Sequence, residues 1–215
     1  MLTDPITNEI EEPTTAMEQN RPHRYFIVNK PYNMVSQFVS SHRVGLLGDL
    51  DFDFPEGTHA IGRLDNNSEG LLLLTTNKKI TKLLFQGKVP HTRVYLVQVR
   101  HEVSEDTVKL LQEGVSIRVK GGGDYITQPC LVEIVQDPGD YFNDTKPLIL
   151  RPPFTWLLLT LTEGKFHQVR KMVDAVHHQC RRLIRVAIEE LTLGELPAGG
   201  VKEIEEEAFF ERLKI

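Results

Sequence analysis

With 215 residues, 40% of them hydrophobic and 26% charged, the chain has enough apolar surface for one large domain or two small ones, which excludes a disordered or fibrous polymer. Its longest nearly apolar runs, Leu71 to Leu74 and Phe154 to Leu161, fall far below the roughly 18 residues that cross a bilayer, and the acidic, proline-containing start lacks the basic onset and apolar centre of a signal peptide. The formal net charge of -5 excludes a nucleic-acid partner only if it is spread evenly, and it is not.

Residues 1–22 hold Asp4, Glu9, Glu11, Glu12 and Glu18 against Arg21 alone, and residues 202–214 hold five glutamates against three cations. Between these ends, residues 165–185 carry Lys165, Arg170, Lys171, Arg181, Arg182 and Arg185 against Asp174, together with His167, His177 and His178. An acidic total can therefore hide a basic working face. Cys130 and Cys180 form no CxxC pair and offer no metal-ligand set, so both read as core thiols of a reducing, cytoplasmic compartment.

In chain order, residues 1–22 read as a flexible acidic tail without apolar periodicity, and residues 23–215 as the folded part of the chain. Tyr25 to Val28 form a strand that Pro31 stops, since proline cannot donate to a ladder. The following loop has room for one short helical turn at Leu46 to Leu50, and "THAIG" reads as a short strand. Four consecutive leucines then predict a strand buried on both faces. "NKKITKLLFQGK" predicts a helix with Asn77 as cap, Ile80, Leu83 and Leu84 on one face, and Gly87 as its stop. "TRVYLVQVR" alternates as a strand does, and "SEDTVKLLQEG" predicts a helix capped by Ser104 and closed by Gly114.

Strands follow at "VSIRVK", "PCLVEIVQ" and "FTWLLLTL", with a glycine turn at Gly121 to Gly123 and a variable loop through "DPGDYFNDTKPLILRPP". "KFHQVRKMVDAVHH" places Phe166, Val169, Met172, Val173 and Val176 on one helical face, and "RRLIRVAIEELTLG" returns to strand character. Short strands interleaved with helices, without regular βαβ spacing, favour an α+β fold on a mixed sheet.

The stretch "GRLDNNSEG", just ahead of the leucine strand, is the most unusual of the chain. A carboxylate beside a buried strand is costly unless a cation or hydrogen bonds compensate it. Alone, Asp65 reads more readily as a turn cap in an Asp-Asn-Asn-Ser turn, Tyr95 as a core aromatic and Arg170 as a solvated helix residue.

Together with "FIVNKPYNMVSQF", "RVYLVQV", "LTEGKFHQVRKM" and "RRLIRVAIEELTLGELPAGGVKEIEEEAF", the stretch resembles the bacterial ribosomal RNA pseudouridine synthases, over roughly residues 24–210. The resemblance implies a pseudouridine synthase fold, a mixed, mainly antiparallel sheet with helices and loops around a catalytic cleft. It also implies isomerisation of a uridine to pseudouridine in ribosomal RNA, without metal or organic cofactor, by a cytoplasmic and monomeric enzyme. Carried over residue by residue, it makes Asp65 the nucleophile and Tyr95 the residue that packs on the target base. Arg170 becomes the ion-pair partner of Asp65, and Arg63 the residue that follows a flipped base. Lys30, Lys171, Arg181, Arg182 and Arg185 are candidates for RNA phosphate contacts, while Ser68 and Glu69 are expected to shape the loop. The resemblance makes residues 23–215 a single pseudouridine synthase catalytic domain with no separate RNA-binding domain ahead of it, and this expectation, with the wording of "NKPYNMVSQF", leans toward members acting on the large subunit. Lys165-Phe166-His167 departs from an Arg-Asn-Arg type of sequence. Two other readings are a non-catalytic RNA-binding ribosome-assembly protein and a glycoside hydrolase that would set Asp65 against Glu69.

Overall fold

The computed structural model of the protein describes residues 22–86, 90–142 and 153–215. The acidic tail, the Gly87 stop and most of the "DPGDYFNDTKPLILRPP" loop lie outside them. In chain order the elements are β1 (Tyr25–Lys30), a 3-10 turn (Leu47–Asp49), β2 (His59–Ile61), β3 (Glu69–Thr75), α1 (Ile80–Gln86), β4 (Arg93–Arg100), α2 (Glu105–Glu113), β5 (Ser116–Arg118) and β6 (Asp124–Ile126). They continue with β7 (Leu131–Val135), a second 3-10 turn (Pro138–Asp140), β8 (Phe154–Leu161), α3 (Gln168–Ala175), β9 (Cys180–Ile188), β10 (Leu191–Thr192), β11 (Val201–Ile204) and α4 (Glu206–Leu213).

Seven strands form the main path of one sheet in the order β11-β1-β3-β9-β4-β8-β7, with β2 added on β3 and β10 on β9, while β5 and β6 form a separate hairpin. Every strand pair is antiparallel except β3 with β9, so the sheet is mixed but mainly antiparallel, an α+β arrangement as the sequence suggested. The expected helices α1, α2 and α3 all form. Ser104 Oγ accepts the Thr107 amide at 3.2 Å, the N-cap bond expected for a serine at that position.

The leucine strand is buried along its whole length. Leu71 and Leu73 join Ile80, Leu84, Ile184 and Phe209 on one face, and Leu72 and Leu74 join Phe26, Val28 and Leu47 on the other. The side-chain period of two explains why the run has no polar position. A third cluster, built from Val97, Val99, Leu157, Leu159, Met172 and Val173, fills the opposite half of the sheet beneath α2 and α3.

Two expected core positions are corrected. Leu83 is 49% exposed, because Ile80 and Leu84, one turn apart, already fill the contact of this short helix. Phe166 is 65% exposed and precedes α3 rather than belonging to it, whereas Val169, Met172 and Val173 are buried as the pattern required. The β6 strand was not legible, since "GGGDY" reads as a turn and only its pairing of Tyr125 with Ile117 makes it a hairpin.

Gly70 sets the architecture near the acidic loop. It has φ +96°, and a Cβ there would meet the Arg185 carbonyl oxygen at 2.3 Å and the Ile184 Cγ2 at 2.8 Å. Only glycine allows β3 to come this close to β9. The close approach carries a stability cost that denaturant titration can read. Gly70→Ala should lower the unfolding free energy by about 3 kcal/mol, combining strain with overpacking. Gly121→Ala, at φ +102° but with nothing within 4 Å, should cost about 1 kcal/mol. Equal losses would mean that the contact, as opposed to the dihedral, carries no weight.

Candidate active site

Residues 62–68 connect β2 to β3 and form one wall of an open cleft of about 1000 Å³. The opposing wall comes from Tyr95 on β4, Leu161 at the end of β8, Glu163 to Val169 at the start of α3, and Leu183 and Arg185 on β9. Ser68 N donates to the Asp65 carbonyl at 3.0 Å, closing a β-turn over Asn66 and Asn67. Ser36 fixes the preceding residue from both sides: its hydroxyl reaches the Leu64 carbonyl and accepts the Leu64 amide, each at 3.0 Å. The turn therefore aims Asp65 into the cleft, where its side chain is 34% exposed. The expected burial of this carboxylate is corrected: the leucine strand is buried, but the turn ahead of it opens on the cleft.

Arg170 is not the ion-pair partner of Asp65. Its Nη2 donates to the Asn67 carbonyl at 2.7 Å and to Ser68 Oγ at 3.3 Å, so the guanidinium holds the backbone of the turn rather than its acid. Among the described residues the basic side chain paired with the acid is instead His167, whose Nε2 lies 3.5 Å from Asp65 Oδ1, an ion pair only when the imidazole is protonated. His167 is the N-cap of α3 and stands at φ 55°, ψ 31°, the left-handed region that few non-glycine residues occupy. This conformation was beyond the reach of sequence reasoning, although "TEGKFHQ", a polar run between two apolar elements, marks the place.

Tyr95 lies half-buried on the cleft wall, directly opposite Arg185 in the β4–β9 ladder, where an irregularity between Val94 and Tyr95 places Val186 as an extra residue on β9. Arg185 is 3% exposed, its Nε donates to the Leu71 carbonyl at 2.8 Å, and its Nη2 is buried without a hydrogen-bond partner. Burial pushes the guanidinium pKa down, while the neighbouring Tyr95 acts in the opposite direction. Arg185 thus lies on the cleft wall with one donor unmatched by the described residues.

The basic residues divide into two sets. Arg63 is exposed on the cleft wall, and Arg181 and Lys171 lie toward the surface, where Lys171 Nζ also donates to the Arg118 carbonyl at 2.7 Å. Lys30, Arg182 and Arg185 are corrections to the expected phosphate contacts. Lys30 is 0% exposed and donates to the carbonyls of Met34 at 2.6 Å and Pro31 at 2.9 Å. Arg182 makes a two-pronged pair with Glu69, Nε to Oε1 and Nη2 to Oε2 both at 2.7 Å, and its guanidinium lies 5.0 Å from the Phe142 ring centre. Glu69 and Ser68 thus shape the loop as expected, and the hydrolase reading loses its second acid to a buried ion pair.

Glu163, which the sequence marked only as a strand end, organises the far rim. Its carboxylate accepts from the Tyr125 hydroxyl at 2.5 Å, the Gln128 amide at 2.9 Å and Gln168 Nε2 at 2.7 Å, tying the β5–β6 hairpin to α3. Among the described residues no cluster of three or more His, Cys, Asp or Glu is arranged to hold a metal ion, and no helix is long and apolar enough to cross a membrane.

The family model for RNA pseudouridylate synthase matches residues 24–175, which carry the acidic turn, the Tyr95 strand and the whole of α3. The chain belongs to this family. It is an RNA pseudouridine synthase, an isomerase, by membership. A ribosomal large subunit pseudouridine synthase E from Vibrio vulnificus is 36% identical over 84% of this chain and 75% of its own. A protein of the same name from Xanthomonas axonopodis pv. citri is 33% identical over 79% of this chain and 88% of its own. A crystal structure of a pseudouridylate synthase superposes with a TM-score of 0.71 at 26% identity, covering 89% of this synthase and 74% of that chain.

Lys30, immediately beneath the acidic loop, gives the site a measurable signature. Burial pushes its ammonium from the ordinary 10.5 down to about 8, against the opposing pull of Glu69 and Asp65. Between about pH 8 and 10.5 the unfolded chain therefore holds more protons than the folded one, and stability rises with pH through that window. Compared with Lys30→Met, the native chain should gain on the order of 3 kcal/mol across it, read by denaturant titration at several pH values. A constant difference would show that the ammonium is not desolvated.

Proposed function

We infer that this synthase isomerises one specific uridine of large-subunit ribosomal RNA to pseudouridine in the cytoplasm, with Asp65 as the nucleophile. The observation that carries the reading is the placement of Asp65. An accessible carboxylate is held by a hydrogen-bonded turn at the wall of a cleft that also contains Tyr95 and Arg185. Support for the large-subunit substrate comes from the names of the relatives.

The reaction breaks the bond between uracil N1 and ribose C1′, turns the base, and joins C5 to C1′, while the C5 proton leaves and N1 gains one. No atom is oxidised or reduced, so an ionised carboxylate and a means of holding the detached base are sufficient. Asp65 attacks the nucleotide, Tyr95 packs on the base, and the free Nη2 of Arg185 donates to a developing negative charge or a base carbonyl. Arg170 acts as a positioning residue through the Asn67 carbonyl. Arg63, exposed two residues before the nucleophile, contacts the RNA where the uridine leaves its stack, and Lys171 and Arg181 meet phosphates.

Release of tritium from RNA labelled at uridine C5 measures the reaction. Asp65→Asn should reduce it by at least about 10³-fold while leaving the thermal midpoint and RNA affinity close to those of the native chain. Mapping pseudouridine in ribosomal RNA from cells without the protein should show one site missing. Normal turnover by Asp65→Asn would remove the nucleophile assignment, and an unchanged map would remove the large-subunit substrate.

A further inference from the structure

Several exposed large hydrophobic side chains are scattered over the described surface, but only Phe166 among them is on the cleft wall. Singly exposed apolar side chains need no explanation on a surface, but this ring, 65% exposed, lines the space in which the RNA would lie. Nor is it loose. Its centre lies 3.8 Å from that of His167 with the planes 19° apart, and Lys171 Nζ is 5.4 Å from the ring centre. The turn that carries it is fastened by Gln168 N to the Lys165 carbonyl at 3.1 Å and by Lys165 N to Gln168 Oε1 at 2.8 Å.

We propose that Phe166 is a stacking platform for a nucleobase adjacent to the target uridine. This rests on the reading of the cleft as the uridine site. Three features carry it. The ring is aromatic, open and rigid, the combination on which bases stack with little dependence on sequence. Lys171 Nζ lies over the ring while donating to the Arg118 carbonyl, and Lys165 Nζ lies 4.4 Å from the Tyr125 ring centre, so two cations border this rim of the cleft and suit the phosphates of a bound strand. His167 touches Phe166 on one side and Asp65 on the other, so the platform is one ring removed from the carboxylate. That position suits a neighbour of the reacting nucleotide, because the reacting base itself must reach Asp65. Phe166 therefore selects RNA in which an unpaired base follows or precedes the uridine.

The test uses the full chain with large-subunit ribosomal RNA transcribed in vitro and labelled at uridine C5, with Phe166 changed to Ala, Leu, Tyr or Trp. Phe166→Ala and Phe166→Leu should raise KM and the RNA dissociation constant by about tenfold or more, with kcat within a few-fold of native, and Tyr or Trp should restore both. An abasic nucleotide beside the modified uridine should weaken binding by the native chain but not by Phe166→Ala. Leu behaving like Tyr, an unchanged KM in Phe166→Ala, or equal abasic losses in both proteins would overturn the platform. No tritium release from the native chain, with RNA binding still dependent on an aromatic residue at 166, would overturn the activity and leave the platform standing.

Discussion

The close parallel contact between β3 and β9 at Gly70 is the constraint on which the site depends. Because Gly70 faces Arg185 with no side chain between them, the turn at residues 65–68 stands beside the only stretch of the chain dense in arginine. From that one contact come the Glu69–Arg182 pair, the Arg185 donor to Leu71 and the Arg170 hold on Asn67. The cleft is therefore a product of the sheet, with its acid supplied by the turn that leads into one strand and its cations by the neighbouring strand and the helix before it.

This use of cations changes the meaning of the basic stretch at residues 165–185. Its charge was read as a face for RNA, yet Arg182 and Arg185 point inward, and Arg170 serves the turn. Arginine suits those tasks because its planar fork can satisfy several acceptors while remaining charged. Cys180 packs among them, accepting from Arg170 Nη1 at 3.5 Å, and burial pushes its thiol pKa up.

The legible part of the molecule was the part in which apolar period and capping agree. The leucine strand, the Ser104 cap and the apolar face of α3 were all readable, because each is decided within a few residues. The acidic turn stood out as charge beside a buried strand, but only its resemblance to the pseudouridine synthases made it a candidate site. What failed depended on contacts between distant segments. The partner of Asp65 was expected at Arg170, but a helix that begins only at Gln168 turns that side chain onto the loop backbone and presents His167 to the carboxylate. Lys30 and Arg185 look like any surface cation in a sequence. Their burial follows from strand positions that only the assembled sheet defines.

The turn that carries Asp65 is held at three points, by Ser36 on Leu64, by its own Asp65–Ser68 hydrogen bond, and by Arg170 on Asn67. An acid so anchored does not travel to its substrate. Under the role proposed for Asp65, the rearrangement in the encounter falls on the RNA, which must unstack to present the nucleotide to the cleft. Selectivity then includes a mechanical component: among uridines of equal local sequence, those in flexible loops or beside bulges are cheaper to extrude than those in regular helices. The stiffness of a four-residue turn thus becomes a filter on the deformability of the RNA.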